Sequence, residues 1–188
     1  MPLITFIVAS AMDPFLVSHP QVGRFLYTVL IINVLAPTLS VWLMHRRGLI
    51  TSTTLDERKE RLGPFLVVIA YYFISYWFLR PQEFALSPQL VAMFAGVWIS
   101  LLISMLITLK WKISIHMLAQ GGFIGTLMAL NQVHFLNAGN IVVLLVLVSG
   151  WVGFARLVLK AHTHAQVYAG FLLGWAVNYV VILNAHLF

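Results

Sequence analysis

Long apolar runs alternate with short polar connections along most of the chain. Six of the runs approach the roughly 20 residues that a helix needs to cross the hydrocarbon core of a bilayer. These runs are Phe25–Met44, Phe65–Leu79, Leu90–Leu109, Met117–Phe135, Ile141–Leu159 and Val167–Leu187. A shorter apolar segment, residues 3–18, precedes them and carries the helix-breaking pair Asp13-Pro14. The pattern predicts an all-α fold: a polytopic membrane helix bundle of six transmembrane helices plus a short N-terminal membrane-embedded helix.

Composition also favours a membrane location. Hydrophobic residues make up 61% of the 188 positions and charged residues 9%, a balance far from that of a soluble domain. The connections between the runs are short, apart from the polar stretch His45–Gly63. We therefore expect residues 1–188 to form a single integral membrane domain. The chain contains no cysteine, which excludes disulfides and thiolate metal sites.

Small residues recur at a spacing of four in the last three apolar runs. The pairs are Gly121 with Gly125, Ser149 with Gly153 and Gly170 with Gly174. This spacing puts small residues on one helix face, where they let two helix backbones approach closely in lipid. We expect the last three helices to form a tightly packed group.

The formal charge of +6 comes from eleven Lys and Arg against five Asp and Glu. Most basic residues lie beside apolar runs, which favours membrane lipids or a phosphorylated lipid as the partner over nucleic acid. When the chain is threaded through six crossings, three polar clusters emerge on one side of the membrane. They are Arg58 with Arg61, Lys112 with Ser114 and His116, and Arg156 with His162. Because even numbers of crossings separate them, the three clusters can form one site.

The stretch from Arg156 to Gln166 places basic and titratable side chains between two apolar runs. Ionisable groups near bilayer depth are costly and usually persist for function. A continuous helix would turn His162 about 120° away from the face of Arg156. We therefore predict a turn at residues 160–162, with Arg156 closing the fifth helix and His162 opening the sixth. Gln166 would lie one turn further on, where its amide can hydrogen-bond the imidazole.

Two of the clusters resemble motifs of a known family. Ser114-Ile115-His116 is similar to a Pro-Ser-Gly-His motif, and the spacing from Arg156 to His162 matches a motif of Ser-Arg, five residues, His, three residues and Asp. Over about residues 55–185 the chain thus resembles the type 2 phosphatidic acid phosphatase superfamily, membrane enzymes that remove phosphate from lipids. The positions that depart from these motifs are Ile113, Ile115, Ala155 and Gln166. The family's first motif is not present as such, and Asp56–Pro64 occupies its place.

The resemblance implies a metal-independent hydrolase that acts through a phosphohistidine intermediate, with no cofactor. It implies that His162 is the nucleophile, that His116 protonates the departing lipid oxygen and later activates water, and that Gln166 orients His162. The implied phosphate-binding residues are Arg156, Ser114, Lys112, Arg61 and Arg58, the last two by position and charge alone. The substrate would be a phosphorylated lipid, such as phosphatidate, phosphatidylglycerophosphate, a polyprenyl diphosphate or a phosphorylated lipid A.

Two other functions compete with hydrolysis. A basic site of this kind could bind lipid phosphate without cleaving it, in a noncatalytic binder, a transporter or a scramblase. Alternatively, His162 and His164 could join His116 in furnishing three imidazoles to a metal ion. The chain lacks the repeated histidine-rich boxes of membrane diiron enzymes, which disfavours this metal enzyme.

The basic residues also predict an orientation. The motif side carries nine Lys and Arg, whereas the opposite side carries only Arg24 and Arg80. Because cytoplasmic loops are enriched in Lys and Arg, we expect the motif side to face the cytoplasm, in a bacterial inner membrane.

Overall fold

The computed structural model describes residues 22–51, 62–80, 87–134 and 138–188, together with Ile7 and Glu60. These residues fold into six helices, and no strand occurs among them. The helices are α1 (Val22–Arg46), α2 (Leu62–Leu79), α3 (Pro88–Thr108), α4 (Ile115–His134), α5 (Gly139–Val158) and α6 (His164–Leu183). A short 3₁₀ turn, Ala185–Leu187, follows α6. Each predicted transmembrane run coincides with one helix to within a few residues, so the all-α prediction is confirmed for the described part of the chain.

Among the described residues, five of the helices are long and apolar enough to cross a membrane. The exception is α4, whose glycines and amide side chains, among them Gln120 and Asn131, lower its hydropathy. The long apolar helices indicate an integral membrane protein. The count of six crossings stays a prediction, and the proposed N-terminal helix at residues 3–18 lies outside the described residues apart from Ile7.

The centre of the bundle is formed by α4 and α6. More than half of the residues of α4 are buried, and its most extensive contact is with α6. On its other side α6 packs against α3, and α2 and α1 extend the bundle outward from α3. In contrast, α5 packs mainly on α4 and buries only Ser149 and Gly153. The predicted tight packing of the last three helices therefore holds for α4 with α6, while α5 lies on the periphery.

Glycines bring the backbones of α4 and α6 into direct contact. A Cβ atom at Gly121 would overlap the carbonyl oxygen of Phe171, and a Cβ at Gly174 would overlap that of Leu118. Gly125 makes the same kind of approach to Trp175, one turn further along both helices. The two helices are consequently parallel, because the contacting positions increase together. Both helices begin at the same end of the bundle, where the predicted site residues that the structure describes lie.

A proline shapes α1. Because Pro37 lacks a backbone N–H, it cannot donate to the carbonyl four residues earlier. The helix widens just before it into a π-helical stretch, Ile31–Leu35, in which the Ala36 N–H donates to the Ile31 carbonyl. Within this stretch the Asn33 amide donates to the Ser75 hydroxyl at 2.7 Å and so ties α1 to α2.

Candidate functional site

A tight turn separates α5 from α6 at the predicted position. The Lys160 N–H donates to the Leu157 carbonyl at 2.9 Å, and the Ala161 N–H donates to the Arg156 carbonyl at 3.1 Å. Lys160 has φ 50°, the left-handed conformation typical of the residue that ends such a helix. The turn is therefore as predicted, but α6 begins at His164, so His162 lies in the turn rather than at the start of the helix.

His162 is held by Gln166. The His162 side chain is only 7% exposed, and its Nδ1 lies 3.1 Å from Gln166 Oε1, the hydrogen bond that the sequence spacing predicts. The same Oε1 accepts the Thr163 backbone N–H at 3.2 Å. A backbone N–H can only donate, so the shared atom must be the amide oxygen and not the nitrogen. Nδ1 then carries the hydrogen of this bond, and in a neutral ring the lone pair is on Nε2.

The sequence reasoning missed the role of Thr163. Its hydroxyl accepts the Gln166 N–H at 3.4 Å, while Gln166 Oε1 accepts the Thr163 N–H, which together form a capping box at the start of α6. The pattern Thr-x-x-Gln before an apolar run is the signal that would have revealed it. The orienting partner of His162 is thus fixed by the helix terminus itself.

Ser114 joins the second predicted cluster to the third. Its backbone N–H donates to the Gln166 carbonyl at 3.3 Å, and its own carbonyl would lie 2.5 Å from a Cβ at Gly170. The Ser114 side chain is 0% exposed, and its Oγ has no hydrogen-bond partner within the described part of the chain. Ser114, Gln166 and His162 therefore form one connected group at the start of α4 and α6.

Three other predicted site residues lie at the same end of the bundle. Arg156 occupies the last turn of α5, and its Nε is buried without a hydrogen-bond partner among the described residues. Lys112 is partly buried in the segment that leads into α4, and His116 is exposed in the first turn of α4. Arg58 and Arg61 lie outside the described residues.

Helices α3 to α6 contribute basic but no acidic side chains to this end of the bundle. The sequence contains no Asp or Glu from residue 84 to residue 188. The N-termini of α4 and α6 add the positive ends of two helix dipoles. Such a site favours an anion with several oxygen acceptors.

The described residues do not gather a metal-binding group. In the ranges that the structure covers, no three His, Asp or Glu side chains lie close enough to hold a metal ion, and His116, His162 and His164 are all within those ranges. Comparisons with protein-family models, curated proteins and solved structures find no match. The chemistry of the site therefore has to be inferred from its own residues.

Proposed function

We propose that this protein is an integral membrane lipid phosphate phosphatase that hydrolyses a phosphomonoester or diphosphate through a phosphohistidine, without a metal ion. The observation that carries the proposal is the bond from His162 Nδ1–H to Gln166 Oε1. This bond orients the ring, and in a neutral ring it puts the lone pair on Nε2, the nitrogen that attacks in the proposed reaction. The resemblance of Ser114 to His116 and of Arg156 to His162 to the lipid phosphatase motifs supports the same assignment.

In the first step, Arg156, Lys112 and the Ser114 hydroxyl bind the nonbridging phosphate oxygens. His162 Nε2 attacks phosphorus as the bond from phosphorus to the lipid oxygen breaks, and His116 donates a proton to that oxygen. Fixed positive charge at the oxygens stabilises the transition state, the usual largest contribution in phosphoryl transfer. Arg58 and Arg61 belong to the same proposed phosphate-binding set by their position in the sequence.

In the second step, His116 accepts a proton from water as the water oxygen attacks phosphorus. The bond from phosphorus to Nε2 breaks, inorganic phosphate leaves, and both histidines return to their starting protonation. Gln166 orients the ring but cannot stabilise an imidazolium by charge, so we expect a slower reaction than a carboxylate partner would allow.

The test is phosphate release by the purified protein in detergent with a metal chelator, using phosphatidate, phosphatidylglycerophosphate, a polyprenyl diphosphate and a phosphorylated lipid A. We expect chelator-resistant release from at least one lipid, and a loss of at least about 1000-fold in His162→Ala. His134→Ala is the matched control, because His134 is exposed at the opposite end of α4. Equal turnover by His162→Ala and His134→Ala would contradict the catalytic role.

Gln166→Glu tests the role of the orienting residue. A glutamate can keep the capping box and its bond to His162, and it adds a negative charge that stabilises the imidazolium. We expect release to rise about tenfold in Gln166→Glu, the usual advantage of a charged over a neutral hydrogen bond. A fall in activity of the folded Gln166→Glu variant would show that charge at this position does not assist His162.

The second candidate is a noncatalytic lipid-phosphate binder, transporter or scramblase. Gln166 favours it, because a neutral partner is adequate for binding and poor for catalysis. Lipid binding without phosphate release from any of the four substrates would decide for it.

We also propose that the protein lies in a bacterial inner membrane with the motif side in the cytoplasm. The excess of Lys and Arg on that side supports this orientation. A reporter fused after Phe188 would lie on the opposite side, so we expect a periplasmic signal from it.

A further inference from the structure

A large apolar groove lies between α5 and the pair α4 and α6. Its volume is about 590 Å³, and aliphatic and aromatic side chains line most of it. The groove exists because α5 packs mainly on α4 and barely contacts α6. Gly150 and Gly153 of α5 line the groove and widen it, because glycine has no side chain.

One end of the groove lies close to the candidate phosphate site. Three of its lining residues directly follow a site residue in the chain: Met117 follows His116, Leu157 follows Arg156 and Val167 follows Gln166. His164, the first residue of α6, also lines this end. The apolar groove therefore ends within about one residue of the basic site along each of these three helices.

The depth of the groove corresponds to one leaflet of a bilayer. Along α5 the lining runs from Leu157 to Val146, which spans about 16 Å at 1.5 Å per helical residue. Half of the roughly 30 Å hydrocarbon core is about 15 Å. With the α5–α6 turn at the membrane surface, a groove of this length would reach near the midplane.

We propose that this groove holds one hydrocarbon chain of the lipid whose phosphate binds at Arg156 and His162. The inference rests on the proposed function and extends it, because it makes chain length a determinant of substrate choice. We infer the occupant from two features together: the position of one end of the groove near the site, and the length of the groove. Arg156 Nε–H is buried without an acceptor among the described residues and can donate to a phosphate oxygen, and the groove that ends near it has the length of a chain that reaches the midplane.

The proposal predicts that the protein prefers lipids with long acyl chains. The open space at Gly150 would determine this preference. A Cβ at Gly150 meets no described atom within 4 Å, so a leucine can be placed there without a backbone clash and will fill the groove. Gly139 on the same helix also has open space at its Cβ but lies outside the groove, which makes Gly139→Leu the matched control.

The first experiment compares kcat/KM for dioleoyl and dihexanoyl phosphatidate in detergent. We expect Gly150→Leu to lower kcat/KM for the dioleoyl lipid about tenfold through KM, with the dihexanoyl lipid unchanged and Gly139→Leu like the unmodified protein. Equal losses with both lipids, or no loss with either, would overturn the proposal.

The second experiment does not depend on turnover. Phosphatidate with a diazirine at the end of one acyl chain is irradiated with the His162→Ala protein in lipid vesicles, and the labelled peptides are identified. We expect labelling near Val146 and Leu172 at the deep end of the groove, which Gly150→Leu suppresses.

The outcomes separate the groove from the chemistry. Labelling of the groove in a protein that releases no phosphate would support the groove and contradict the phosphatase. Labelling confined to α1 and α2 would overturn the groove even in an active enzyme. Equal labelling by a diazirine diacylglycerol would also overturn it, because the groove would then take any lipid without help from Arg156.

Discussion

Glycines have opposite effects in two regions of the bundle. Between α4 and α6 they allow the backbones to touch, whereas along α5 they leave open space. At Gly121 and Gly174 a single added methyl would overlap backbone atoms of the other helix, whereas at Gly150 the same methyl would meet no described atom within 4 Å. The first pair of helices is held by backbone contact, which leaves no room for another molecule. The second arrangement leaves a groove beside the candidate site.

The side chains of α5 also differ from those at the start of the α4 and α6 pair. α5 exposes large apolar side chains, up to 83% for Trp151, as expected of a helix that faces lipid. The α4 and α6 pair instead carries the residues that orient His162, and their parallel N-termini meet through the bond from Ser114 to Gln166. In the proposed function, the closely packed pair positions the reacting groups and the peripheral helix forms one side of the groove that takes the lipid.

The largest expected difference in the free energy of unfolding is between the Gly121→Ala and Gly150→Ala variants. We expect Gly121→Ala to lower the free energy of unfolding by about 3 kcal/mol, because the carbonyl of Phe171 is backbone and cannot rotate away. We expect Gly150→Ala to be neutral or to stabilise by about 0.5 kcal/mol through helix propensity. Unfolding in mixed detergent micelles measures both. Similar losses in the two variants would contradict the contrast between the helices.

Lys160→Gly should have a smaller effect of opposite sign. A lysine at φ 50° occupies a conformation that a side chain disfavours by about 1 kcal/mol, and glycine relieves that cost. We expect a gain of about 0.5 to 1 kcal/mol in the free energy of unfolding. The same unfolding measurement checks it. Gly48→Ala, at φ 70°, is the reciprocal control and should lose a similar amount.

Ser149→Ala should give the smallest effect. The Ser149 hydroxyl lies 3.1 Å from Gln120 Oε1 and 2.7 Å from the Leu145 carbonyl, so its interhelical bond competes with a local one. Interhelical hydrogen bonds in lipid average about 0.6 kcal/mol, and we expect a loss of that size or less. A loss above about 2 kcal/mol would mean that α5 is held far more firmly than its shallow burial indicates.

Much of the candidate site could be predicted from the spacing of a few residues. The turn between Arg156 and His162 follows from helical periodicity. The bond from His162 to Gln166 was predicted from their place on one helix, but it forms because Gln166, in the first turn of α6, reaches back to His162 in the turn. The protonation of Nδ1 could not be predicted, because it depends on the Thr163 N–H that fixes the amide orientation. The catalytic assignments of His162 and His116 stay predictions, as do the phosphate-binding roles of Arg58 and Arg61.

The sequence by itself determined that the protein is helical and apolar enough for a membrane, because these properties depend on composition and on the length of each run. It also determined which glycines share a helix face. Only the tertiary structure decided that Gly121 and Gly174 face another backbone while Gly150 borders a groove. Identical spacing allows both outcomes in lipid, where helix association depends on the fit between particular surfaces rather than on hydrophobicity.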